Sequence, residues 1–193
     1  IKITKVYNPD ALSTCYRIDA DVLVLPDIGD WPKTDMNEDD FIEYFSNNKL
    51  DDIEGIWSYS SSTVSTNMTT GQTVPQQTTG MYKIAIIKAE GLDNQYNGYI
   101  LKADEKSDWK RGYLKCIIRA SSYSKIFEID WYMGDFSKET ISGLQEERGF
   151  VQFSGFKTEY NNGWSYAKNP TMLKFYPLII ASVFLIQKRR IDF

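Results

Sequence analysis

Asp130-Trp131-Tyr132 and Asp135 form the densest group of carboxylates and rings in a chain of 193 residues. Rings stacked on a pyranose, with carboxylates taking its hydroxyls, would make a sugar site. Two carboxylates about 5–10 Å apart could instead hydrolyse a glycoside. Strand alternation argues against both, because Asp130 and Trp131 then point to opposite faces and cannot line one pocket. A core Trp131 with Asp130 and Tyr132 exposed is the expectation. Trp164 and Tyr166 in "NNGWSYAKN", Trp31 beside Pro32 and Trp109 after Asp108 are loop rings. They are expected to pack over a rim rather than to bind.

The chain has no histidine, which excludes a Ser-His-Asp triad, a Cys-His dyad and His-ligated zinc. Its two cysteines, Cys15 and Cys116, are too few for a four-cysteine zinc site. They either pair in an oxidising compartment or remain buried thiols. With no histidine and no recognisable carboxylate pair for acid–base work, the chain reads as non-enzymatic, without metal or cofactor. The net charge of −4 is unevenly spread: ten acidic residues from Asp27 to Glu54 face only Lys33 and Lys49. That balance excludes nucleic acid as a main partner, since phosphates want a basic face. The acidic run lacks D-x-D-x-D-G spacing, so it reads as a solvated helix and linker rather than a calcium loop. The sharper alternative is that it docks on Lys188-Arg189-Arg190. Asn67-Met68-Thr69 matches the glycosylation acceptor pattern.

The elements that must position these groups are mostly strands. Aromatic residues make up 15% of the chain, including 13 Tyr and 10 Phe, which suits pleated, half-buried surfaces. "IKITKVY" alternates in strand fashion, and "DVLVLPDI" (Asp21 to Ile28) reads as a short edge strand closed by Pro26. "DMNEDDFIEYFSNN" predicts the one clear helix, capped by Asp35 or Asn37. Glu38, Asp39 and Asp40 lie in its first turn, and Phe41 and Phe45 form its apolar stripe. From Trp57 the period changes to two. "GIWSYSSSTV", "MYKIAIIKAE", "GYILKAD", "GYLKCIIRAS", "KIFEIDWYM", "TISGLQE", "GFVQFSGFKTEY" and "TMLKFYP" follow at short spacing. On "GYLKCIIRAS", Leu114, Cys116 and Ile118 share one face, and Tyr113, Lys115, Ile117 and Arg119 the other. Ser65 to Gly80, rich in Thr and Gln, reads as a long mobile loop. Seven to nine antiparallel strands with short turns predict a mainly β fold, an up-and-down meander closing into a barrel. Closure would remove the edges that these strands otherwise expose. Residues 1–50 are expected as a strand/helix lead-in or attachment and 51–193 as the barrel domain.

Gly55-Ile56-Trp57 follows the helical lead-in directly. A glycine lets the chain bend at the closed end of a small barrel, and an indole two residues on can plug it. This resembles the lipocalin (calycin) pattern, whose recurrent feature is G-x-W on the first strand. "EGIW", "YKIAIIK", "DWKRGYLK", "DWYM" and "LKFYP" together resemble lipocalin-like domains of Bacteroides–Flavobacterium-group bacteria, some of them appended to trypsin-like proteases. The resemblance implies an accessory domain with no chemistry of its own, on a secreted, periplasmic or cell-surface protein. It also implies an arginine stacked on the barrel-end Trp57, with Arg119, Arg189 or Arg190 as candidates. The usual T-D-Y of lipocalins is missing.

The leading expectation is a non-enzymatic lipocalin-like domain that binds a small apolar ligand or acts as an accessory or interaction module. Candidate contacts in the interior or at the rim are Trp57, Tyr82, Ile84, Ile86, Phe127, Ile129, Trp131, Met133 and Trp164. A carbohydrate-binding β domain is the alternative, and it predicts exposed coplanar rings. Leu178 to Ile186 is the one long apolar run. At nine residues it falls short of the ~20 that a spanning helix needs, so a buried last strand is expected there. Ile1-Lys2-Ile3 is no signal peptide, and the chain reads as a processed or excised piece.

Overall fold

Gly55 begins the strand on which the fold turns, because its backbone passes where no side chain fits. Its φ is +138°, and a Cβ there would overlap the Tyr176 carbonyl oxygen. In the computed structural model the backbone of 2–8 and 13–19 is described, together with residues 30–105 and 107–177 in full. The elements are β1 (Lys2–Asn8), β2 (Ser13–Asp19), α1 (Glu38–Asn47), β3 (Gly55–Asn67), β4 (Thr73–Lys88) and β5 (Gln95–Ala103). They continue as β6 (Leu114–Ala120), β7 (Ile126–Tyr132), β8 (Lys138–Glu147), β9 (Phe150–Phe153), β10 (Glu159–Asn161) and β11 (Trp164–Tyr176).

Two units are present, Ile1–Asp30 and Trp31–Phe193. The first contains the antiparallel hairpin β1–β2, in register Val6↔Cys15. The second is a mainly β unit whose strands run in the order β10-β11-β3-β4-β5-β6-β7-β8-β9, all neighbours antiparallel. Pairing of β11 with β9, through Thr171↔Gln152, Met172↔Val151 and Leu173↔Phe150, closes β3–β9 and β11 into an eight-stranded up-and-down barrel. This is the expected architecture. The readings of Asp21–Ile28 and Leu178–Ile186 as strands, and of the basic tail as a dock, lie outside the described residues.

One expectation is corrected. Residues 65–80 are not a long loop: β3 and β4 run past the barrel as a paired ribbon, from Ser61↔Thr78 to Thr66↔Thr73. Only 68–72 turn the chain. Asn67 Oδ1 accepts from the Thr69 and Thr70 backbone N–H groups at 2.9 and 3.0 Å, which fixes that turn.

Inward-facing residues of every barrel strand fill the interior. Ile84, Ile86, Ile100, Cys116 and Ile118 are wholly buried, and Ile129, Val151 and Met172 pack with them. The helix covers the outer face instead. Asn37 caps it in a capping box with Asp40, and Phe41 and Phe45 pack on Ile56, Ala85 and Leu101. Burying each of these rings stabilises the dock by about 1.5–3 kcal/mol. A Lys83–Glu38 ion pair and the Ser46–Tyr176 hydroxyl contact at 2.8 Å fasten its two ends.

The base of the barrel is sealed by Trp57, which is fully buried and donates its indole N–H to Ile53 O at 2.8 Å. The cation over its ring is not an arginine but Lys174, with Nζ 5.0 Å from the centroid. Lys174 is the cross-strand partner of Trp57, so both side chains leave the sheet on the same side. Arg119 is on the outer wall, bound to Glu128 and Asp130. Arg189 and Arg190 lie outside the described residues.

Candidate functional site

The site is built by one extra residue. Gly98 of β5 pairs with Cys116 of β6, but Tyr99 pairs with Leu114, so Lys115 is a bulge. A bulge breaks alternation and re-aims a side chain. Lys115 therefore turns in beside Cys116 rather than out with Ile117 and Arg119, and only 1% of it is exposed. Its Nζ donates to Tyr132 O at 2.5 Å. It lies 3.9 Å from the ring centroid of Trp109, 4.6 Å from Tyr82 and 5.0 Å from Trp131. Among the described residues it makes no salt bridge. Burial lowers the amine from the ordinary lysine range to about 7. The ring faces and the carbonyl stabilise whatever fraction stays protonated.

Neighbouring segments hold this cage in place. Trp31 meets Trp109 edge-on at 5.8 Å and Tyr132 at 5.0 Å, while Phe136 packs on Trp109 at 4.6 Å. Trp31 Nε1 donates to Leu114 O at 2.9 Å, and Leu114 N donates to Pro32 O at 2.9 Å. Of the rings read as loop residues, Trp31 and Trp109 thus pack here, whereas Trp164 and Tyr166 belong to strand β11 and are half-buried.

Next to Lys115, at the mouth end, lies a cavity of about 210 Å³. Tyr59 and Trp131 line it as a stacked pair 4.6 Å apart, joined by Tyr82, Phe156, Met81 and Met133. Ser61, Thr63, Thr78 and Lys168 add polar atoms. Lys168 is paired with Glu159 at 2.6 Å. An open groove of about 720 Å³ along the rim shares Met133, Gly134 and Lys168 with the cavity, giving it a way out.

Of the nine candidates read from the sequence, Tyr82, Trp131 and Met133 meet at this cavity. Ile84, Ile86, Phe127 and Ile129 are packed in the barrel core, and Trp57 is the base plug. Trp164 is half-buried at the start of β11, away from the cavity lining. Cys116 is a free, buried thiol that burial pushes up to about 12, which leaves it inert; the side chain of Cys15 lies outside the described residues. Sequence reasoning missed Tyr59, Phe156 and, above all, Lys115. The available signal was Gly98, since a lone glycine within a strand marks a bulge or a close approach. A Cβ at Gly98 would overlap Cys116 Sγ.

The acidic–aromatic cluster divides by face as alternation predicts, but Asp130 and Tyr132 are not exposed: Asp130 is buried and Tyr132 half-buried. Trp131 is interior, while Asp130 lies on the outer wall beneath its partners and accepts from Arg119 at 2.9 Å, Lys138 at 3.2 Å and Thr140 at 2.6 Å. Burial would raise this carboxyl, but these three donors outweigh it and hold it at about 2. A depressed carboxylate stabilises the fold above its ordinary range and loses that contribution as pH falls through 2. Asp130→Asn should therefore cost about 2 kcal/mol at pH 7. The difference from the unaltered protein should vanish near pH 2, as urea unfolding at the two pH values would show. A constant difference would mean that the carboxylate charge is not the cause.

Comparison with known proteins yields no matching family model, no matching curated protein and no matching solved structure. Among the described residues no group of three or more His, Cys, Asp or Glu could hold a metal ion. No helix there is long and apolar enough to cross a membrane.

Proposed function

We propose that this domain is a non-enzymatic binding module of lipocalin-like design, which takes one small molecule at the barrel mouth. The observation that carries this reading is the aromatic cavity of about 210 Å³ with the buried Lys115 beside it. A dry cavity of about 150 Å³ suffices for benzene, so the occupant is of single-ring or short-chain size. Its apolar body would lie against Trp131, Phe156 and Met81, with a polar group toward Lys115 or the Ser and Thr hydroxyls. The filled interior below supports a mouth site rather than a deep container. The carbohydrate alternative draws less support. The two most exposed tyrosines, Tyr123 in the β6–β7 turn and Tyr160 in β10, are at opposite ends of the barrel by topology.

Native mass spectrometry of the purified chain, followed by denaturation, is the first test. A stoichiometric mass lost on denaturation is expected. Benzyl alcohol should also perturb tryptophan emission saturably, and Met81→Trp, which fills the cavity, should weaken that binding about 10-fold or more. A bare chain that responds to no single-ring compound at millimolar concentration would end the reading.

A further inference from the structure

The mouth cavity contains an unusual partner for a small molecule. A lysine there is ordinarily an anion's counter-charge, but Lys115 is poorly suited to that role. It is buried, has no carboxylate partner among the described residues and is wedged among three rings. We infer that Lys115 is a nucleophile, and that the ligand class of the mouth cavity is a small aldehyde held through it as a reversible imine. This rests on the binding reading above and names the chemistry of its ligand.

Three observations converge on it. The β6 bulge turns an outward position inward, and bulges recur next to functional sites for that purpose. The amine borders a cavity whose walls are aromatic and thioether surface, which suits the ring or chain of an aldehyde. Desolvation, the means by which proteins make lysine nucleophilic, lowers this amine to about 7 and so favours its uncharged form. The neutral Nζ adds its lone pair to the carbonyl carbon, and one of its two protons passes to the carbonyl oxygen to give a carbinolamine. The nitrogen then loses its remaining proton and the hydroxyl leaves, together departing as water, and the C=N bond forms. No electrons are gained or lost, and hydrolysis reverses each step.

Lys174 supplies an internal control. Its amine is also lowered by burial, to about 8, but it sits at the sealed base and donates to Asp52 O at 2.5 Å. The test is to incubate the chain at pH 7 with one equivalent of benzaldehyde, reduce with borohydride, and map the adduct by peptide mass. The expected result is one added aldehyde less one oxygen, on Lys115, about 10-fold or more above any other lysine. Lys115→Met and Lys115→Arg should each lose that adduct. Labelling spread over surface lysines, or concentrated on Lys174, would overturn the inference. So would no labelling while benzyl alcohol still binds. If neither compound binds, the binding reading itself fails and the inference with it.

Discussion

Gly55→Ala is expected to cost the fold about 3–5 kcal/mol. Two penalties combine. A φ of +138° lies where L side chains are strained, by about 1–3 kcal/mol. The new Cβ would also overlap the Tyr176 carbonyl oxygen and lie 3.2 Å from Pro177 Cδ. Backbone is what must yield, since no flexible side-chain tip stands there to move aside. Any shift disturbs Tyr176, which packs on Phe45 of the helix, and the Lys174–Trp57 pair one step along β11. Chemical unfolding of the variant against the parent would measure this. A loss below about 1 kcal/mol would mean that the β3 entry is soft and that Gly55 is not what fixes it.

That glycine was legible because the physical demand is local. A chain entering a closed barrel end needs a bend and a plug, and Gly55 and Trp57 supply them two residues apart. The helix was equally legible, since Asn37, the acidic first turn and the Phe41–Phe45 stripe all agree. The ribbon of 65–80 was not. Thr73 to Gly80 are exposed throughout, so neither face is buried and no alternation of polar and apolar residues marks it as strand. Low complexity there reflects two-sided solvation, not absence of pairing. Lys174 over Trp57 was hidden for another reason: the contact depends on register between strands more than a hundred residues apart. Lys115 was hidden most deeply. Strict alternation from Cys116 and Ile118 sends it outward, and a single inserted residue reverses that. Periodicity sees the average strand, whereas sites are built where it fails.

The same buried lysine should make stability rise with pH, most steeply from about 7 to about 9. In the unfolded chain a lysine keeps its proton to about 10.4. Folded Lys115 releases it near 7, and Lys174, lowered chiefly by burial, near 8. Between these limits the unfolded state holds more protons, so raising the pH favours the fold. The penalty is complete below pH 7 and gone once the unfolded lysine also deprotonates. For Lys115 it amounts to about 5 kcal/mol if fully expressed; Lys174, being half-exposed, adds less. Of the groups facing Lys115, Tyr59 from β3 and Tyr82 from β4 are raised by burial and stay protonated through this window. Cys116 beside it is also raised by burial, so above the ordinary thiol value of about 8.5 it opposes the rise, in parent and Lys115 variants alike. From β7 come only the Trp131 ring, the Tyr132 carbonyl and the Tyr132 phenol, itself raised by burial. Above pH 10 the raised tyrosines reverse the slope, because their unfolded counterparts ionise first. Lys115→Met separates the contributions: it conserves volume and removes the buried charge, but leaves Tyr132 O without its donor, at about 1–3 kcal/mol. The variant should be more stable than the parent at pH 6 by about 2–4 kcal/mol, near parity at pH 9.5, with a much flatter profile between. Urea midpoints across that range would decide it. An unchanged slope in the variant would place the titrating group elsewhere, and a flat parent would mean that Lys115 keeps its proton inside the fold.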